Sequence, residues 1–169
     1  VLLNSKISTQ DFAGVRELSD TALVTARRAN DPIAMAYAYY AKVLLFKTLE
    51  HSEYVIKYCQ QALTELEKKP DPYVAAKIYY QLYIANSNWN NEAKVYQYAR
   101  LAMENALQTS DYSLLSNCYN AMSTAHDYKY NVGQEKAELD STLYYLDKSE
   151  SLYTQYPGQV SNFAYAISC

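Results

Sequence analysis

Residues 31–40 read DPIAMAYAYY, residues 71–80 read DPYVAAKIYY and residues 111–120 read DYSLLSNCYN. An Asp followed by small and aromatic residues, with Tyr at 39, 79 and 119, returns every 40 residues. Aligned without a gap, 31–70 and 71–110 share eight positions: Asp31/Asp71, Pro32/Pro72, Ala36/Ala76, Tyr39/Tyr79, Tyr40/Tyr80, Val55/Val95, Tyr58/Tyr98 and Ala62/Ala102. Their placement predicts a helix start. Asp31 and Asp71 read as N-caps whose carboxylates accept from free backbone N–H groups. Pro32 and Pro72 fall at the first helical position, where a missing N–H costs nothing. Asp111 repeats the cap without the proline.

Polar breaks, KTLEHSE and NSNWNNE, follow these helices, and a second helix is predicted from about Ser52 or Asn91 to Lys68 or Gln108. Val15, Val55 and Val95 recur along second helices, as do Ala22, Ala62 and Ala102. Alanine at a fixed place predicts a close crossing where a larger side chain clashes. In the last unit Ser149 stands 47 residues after Ala102, so about seven residues are added near YKYNVGQEKAE, with Gly133 at the turn. The predicted order is a helix end (1–8), a helix (10–29), hairpins in 31–70, 71–110 and 111–157, and a further helix from 158. Both ends read as cut, Val1–Lys6 as the tail of a helix rather than a signal peptide. The chain therefore reads as an excerpt of a longer protein.

Hairpins of this size do not bury their apolar faces alone; stacking three or more buries them in a solenoid. YCQQAL at 58–63 and YARLAM at 98–103 resemble the second-helix signature of the tetratricopeptide repeat family, and Tyr39, Tyr79 and Tyr119 occupy the place of its first-helix aromatic. The period is longer than that family's usual length of about 34 residues, and is similar to the variants found in bacterial regulatory proteins. The resemblance implies an all-α, right-handed superhelical solenoid of antiparallel helix hairpins. It also implies a cytoplasmic or periplasmic input module attached to a DNA-binding or kinase domain.

Composition agrees with long helices. The 169 residues are 50% hydrophobic, with three Gly and four Pro, too few for an all-β fold. A net charge of −3 argues against direct nucleic-acid contact by this segment. The most apolar stretch, Pro32–Phe46, is interrupted by Lys42 and falls short of the roughly 18 residues of a membrane span. Cys59, Cys118 and Cys169 form no CxxC pair, so neither a disulfide framework nor a zinc site is expected; the redox compartment stays open.

Chemistry is sparse. His51 and His126 are the only histidines and lack metal-ligand spacing. Cys118 and His126 lie eight residues apart, about 12 Å along a helix and too far for a nucleophile–base pair. No phosphate-binding loop or nucleophile elbow is present. No cofactor and no metal are expected, and the chain reads as non-catalytic. Trp89 reads as a hydrophobic staple against Val95, with Leu49 as its equivalent one unit earlier.

Twenty tyrosines remain to be placed. Neighbouring tyrosines on a helix diverge by about 100°, so one of each pair at 39–40, 79–80 and 144–145 should lie on a more open face. With Tyr39, Tyr79 and Tyr119 packed inward, Tyr40, Tyr80 and Asn120 turn toward a groove. Tyr37, Lys77 and Asn117, three residues earlier, share that face, and Gln81 and Thr124 extend it. Such a ladder suits an extended peptide, a protein partner or another domain of the same chain. The competing assignment is that these tyrosines fill a tight superhelix. A small-molecule sensor with a closed pocket, or an enzyme clustered on Cys118 and His126, are the other functional readings. Homodimerisation through an exposed solenoid end is a further expectation, carried by the apolar NFAYAIS.

Overall fold

A computed structural model describes residue 9 and residues 11–87 and 91–160. The described residues are all-helical: α1 (Phe12–Ala29), α2 (Pro32–Thr48), α3 (Ser52–Lys68), α4 (Pro72–Ser87), α5 (Glu92–Ala106), α6 (Tyr112–Gly133) and α7 (Lys136–Gln155), with no strand among them. The helix end at 1–8, the Trp89 staple, Cys169 and the apolar segment from 161 onward lie outside the described residues. Gly158 and Gln159, expected to open a helix, belong to a turn instead, with Gly158 at φ +87°.

The repeated aspartates cap as their spacing predicts. Asp31 accepts from Ile33 N (3.1 Å), Asp71 from Val74 N (3.0 Å) and Asp111 from Leu114 N (2.9 Å). Asp11, twenty residues before Asp31, does the same for α1 through Gly14 N (2.9 Å). Each satisfies one of the orphan donors at a helix start, worth about 1 kcal/mol apiece. Asn91 caps α5 more loosely, accepting from Lys94 N at 3.4 Å.

Each helix packs on the next in sequence, and α2 touches α4, which touches α6. Among the described residues α3, α5 and α7 make no such contact with one another. The residue patterns follow from this. In α3 the buried positions are Val55, Cys59, Ala62 and Leu66, a single stripe with the other face in water. In α2 they are Met35, Ala36, Ala38, Tyr39, Lys42, Val43 and Leu45, spread around the cylinder because three helices surround it. Lys42 is tolerated there because its ammonium bonds Asp20 of α1.

The period is visible in the packing. Tyr39 faces Tyr58 with ring centroids 6.3 Å apart, Tyr79 faces Tyr98 at 6.3 Å, and Tyr119 faces Tyr145 at 6.2 Å. Ala62, Ala102 and Ser149 are all fully buried, as are Ala36 and Ala76, with Ser116 at 2% exposure. The last pair of helices therefore holds serine where the earlier two hold alanine at both places, and the two hydroxyls bond each other at 2.8 Å.

The added residues lengthen the last pair. α6 has 22 residues against 16 in α4. Only Gln134 and Glu135 separate α6 from α7, where residues 88–91 separate α4 from α5. Gly133 was expected to make this turn; it is instead the last helical residue, and Gln134 takes the left-handed conformation at φ 56°.

Candidate functional site

The proposed ladder falls into two clusters and one outlier. Between α2 and α4 lie Tyr37, Tyr40 and Lys77. Tyr37 is exposed (43%), and its phenol is raised by burial, then by Asp71 and Tyr73. Tyr40 is half-buried against the core, and burial, with Cys59 and Tyr73 adding, pushes its phenol up to about 12. Lys77 sits 4.0 Å from the centroid of Tyr73 and 5.9 Å from that of Tyr40, and donates to the Tyr73 hydroxyl at 2.5 Å. The cation is thus already held by its own chain. Tyr73, four residues before Lys77, is the partner that sequence reasoning missed.

Gln81 departs from the expected face. It is buried, and it lines a notch of about 350 Å³ with Lys47, Glu50, His51, Ser52, Val55, Ile84 and Ala85. Position 81 follows Tyr80 by another 100° and turns back into the contact with α3. The notch recurs one unit later, where Ser87, Val95, Thr124 and Ala125 line about 210 Å³.

The second cluster lies between α4, α6 and α7. Tyr80, Asn117, Asn120 and Thr124 come together there with Tyr83, Ala121, Ser123, Asp127, Thr142 and Leu146 around a cavity of about 340 Å³. The spacing explains the α6 wall: Asn117, Asn120, Thr124 and Asp127 follow one another by three or four residues and form one stripe. The α4 wall is aromatic. Tyr80 and Tyr83 are stacked with centroids 5.8 Å apart and planes at 30°. Burial, with Tyr83 and Cys118 adding, pushes the Tyr80 phenol up to about 12; burial also raises that of Tyr83, against the hydroxyls of Thr124 and Ser87. Tyr83 and Asp127 were not foreseen, although extending the i, i+3 stripe beyond Tyr80 and Thr124 reaches both.

Asn120 is the unsettled member. Its Oδ1 is buried without a hydrogen-bond partner. Such an acceptor costs on the order of 1–3 kcal/mol. Tyr40, Tyr80 and Asn120 are all intermediate in exposure, neither open rungs nor sealed core. Tyr80 packs against two apolar clusters as well as the cavity.

The wider recess, of about 660 Å³, crosses the starts of α4 and α6. Its carboxylates, Asp71 and Asp111, are spent as caps. Cys118 is fully buried, and burial pushes its thiol up to about 12, which keeps it protonated. His126 is buried with Nδ1 2.6 Å from Glu138 Oε2, under the ring of Tyr145 at 5.5 Å and against the edge of Tyr96 at 5.4 Å. His51 is exposed at the start of α3. Among the described residues no three His, Cys, Asp or Glu side chains converge as metal ligands, and no helix is long and apolar enough to cross a membrane.

Compared with known families and with curated proteins, the chain matches no family model and no curated sequence.

Proposed function

We propose that the chain is a non-catalytic binding module of the tetratricopeptide type, a right-handed solenoid of helix hairpins that holds an extended peptide or protein segment. The observation that carries the reading is the cavity between α4 and α6. Aromatic surface from Tyr80 and Tyr83 lines it together with the side chains of Asn117 and Asn120. Aromatic faces give contact area at low entropic cost, and amides pair with an extended backbone. Contact of α2 with α4 and of α4 with α6, each pair of helices meeting only its neighbours, supports the solenoid. Burial of Cys118 keeps its thiol protonated and removes it as a nucleophile, the residue on which the enzyme reading rested. The same resemblance makes the module the input region of a larger bacterial regulatory protein.

Selection of random displayed peptides on the immobilised protein tests the reading. Enriched peptides should bind at the cavity, and Tyr83→Ala should weaken them by about 1 kcal/mol or more. Failure to enrich any peptide refutes it. A second reading, a small-molecule sensor, draws on the cavity volume of about 340 Å³, which falls within the range of small-ligand pockets. Thermal stabilisation by a metabolite library, lost in the same variant, would favour it.

A further inference from the structure

We propose that the cavity between α4 and α6 receives an arginine side chain of the bound segment, an inference that rests on the binding-module reading above. Three features of the wall select a planar cation. Tyr80 and Tyr83 offer neighbouring π-faces, on which a guanidinium stacks with both dispersion and cation–π attraction. Opposite them the α6 stripe is polar, with Asn117 at one end, then Thr124, and the carboxylate of Asp127 nearly three turns away at the other. A carboxylate accepts two parallel N–H bonds from a guanidinium fork, which an ammonium lacks. Finally, among the described residues that line the cavity Asp127 carries the only charge.

The nearby cations are engaged elsewhere. Lys77 lies on Tyr73, and Lys129 lies 3.6 Å from the ring centroid of Tyr96. Asp127 has one partner of its own, accepting from Asn131 Nδ2 at 3.1 Å on the exposed side, and a carboxylate has lone pairs for further donors. Asn120 lines the cavity with its side chain, while its Oδ1 is sealed from solvent. An arginine therefore meets an aromatic seat and a compensating charge in one place.

The experiment titrates Nα-acetyl-argininamide and its uncharged isostere Nα-acetyl-citrullinamide into isotope-labelled protein, following the backbone amides of residues 117–127. The arginine probe should shift them saturably, with the citrulline probe about tenfold weaker. Asp127→Asn, which keeps the shape and the Asn131 contact, should bring arginine to the level of citrulline with an unchanged melting temperature. Equal binding of both probes, shifts confined to other helices, or no loss in Asp127→Asn overturns the assignment. The peptide selection separates this failure from that of the underlying reading. Enriched peptides that lack arginine yet compete at Tyr83 leave the binding module standing and remove only the arginine. Absence of enrichment together with absence of probe binding removes both.

Discussion

Ser116 of α6 and Ser149 of α7 share a buried hydrogen bond of 2.8 Å at the two places where both preceding units carry alanine. A lone hydroxyl at either place would lose water and gain nothing; together they satisfy each other. Ser149→Ala should therefore cost about 1 kcal/mol by orphaning Ser116. The double variant Ser116→Ala, Ser149→Ala should recover most of that loss, because it restores the pairing found in the other units. Urea unfolding of the four proteins measures the coupling, and strictly additive losses would refute it.

A second junction between the same helices is the His126–Glu138 bond at 2.6 Å. Glu138→Ala leaves a buried ring nitrogen without its acceptor, and is expected to cost about 1–2 kcal/mol. The loss should show as a lower urea midpoint with an unchanged slope. A stability equal to the parent's would mean that water replaces the carboxylate at no cost.

Alanine at the crossing of α3 and α5 with their partners leaves no room. Ala102→Leu should destabilise by about 1–3 kcal/mol through overpacking, whereas Leu at Ala93, exposed on the other side of α5, should stay within about 0.5 kcal/mol. Comparable melting temperatures for the two would place the close crossing elsewhere.

Alkaline titration tests the burial of the cleft tyrosines. The phenols of Tyr40 and Tyr80 rise from 10.0 to about 12 on folding. Below pH 10 both forms of the protein hold these protons and the stability is fully present. Between pH 10 and 12 the unfolded chain releases them first, so stability falls as pH rises through the folded value. Each tyrosine can contribute at most roughly 2–3 kcal/mol to the loss. The buried thiols of Cys59 and Cys118, also raised, add to the same limb. Tyr40→Phe with Tyr80→Phe should flatten the fall in part; an identical pH profile in the double variant would show that these phenols are solvated.

Tyr80 has a dual position, against two apolar clusters and at the cavity. Tyr80→Ala should cost about 2 kcal/mol or more of stability as well as affinity; Tyr83 packs against one of the same clusters, so the affinity of Tyr83→Ala is measured at a temperature where that protein is folded. A Tyr80→Ala protein that melts like the parent would return this ring to an open groove.

The helices and their starts were legible because caps, prolines and apolar residues act locally and their 40-residue spacing repeats a local solution. Asp31, Asp71 and Asp111 declare themselves in three or four residues. The cleft was legible only in part. Whether Tyr80 or Gln81 faces an opening depends on how four helices surround α4, and no short stretch records that. Tyr73 and Lys77 also satisfy each other, which the composition of a proposed surface does not reveal. The serine pair was half visible: Ser149 was placed as the alanine equivalent, but its partner lies 33 residues away.

The lengthened last pair has a consequence for how such a chain changes over time. Relative to the preceding unit, α6 gains six residues at its end, α7 gains three at its start and the connection loses two, which accounts for the seven added. All of this lies at the tip, where Val132 is 68% exposed, while Tyr119 with Tyr145 and Ser116 with Ser149 keep the contacts of their counterparts. Apart from Glu138, which reaches back to the buried His126, the added residues leave the core as it is, and the tip is free to acquire residues under selection for something other than folding.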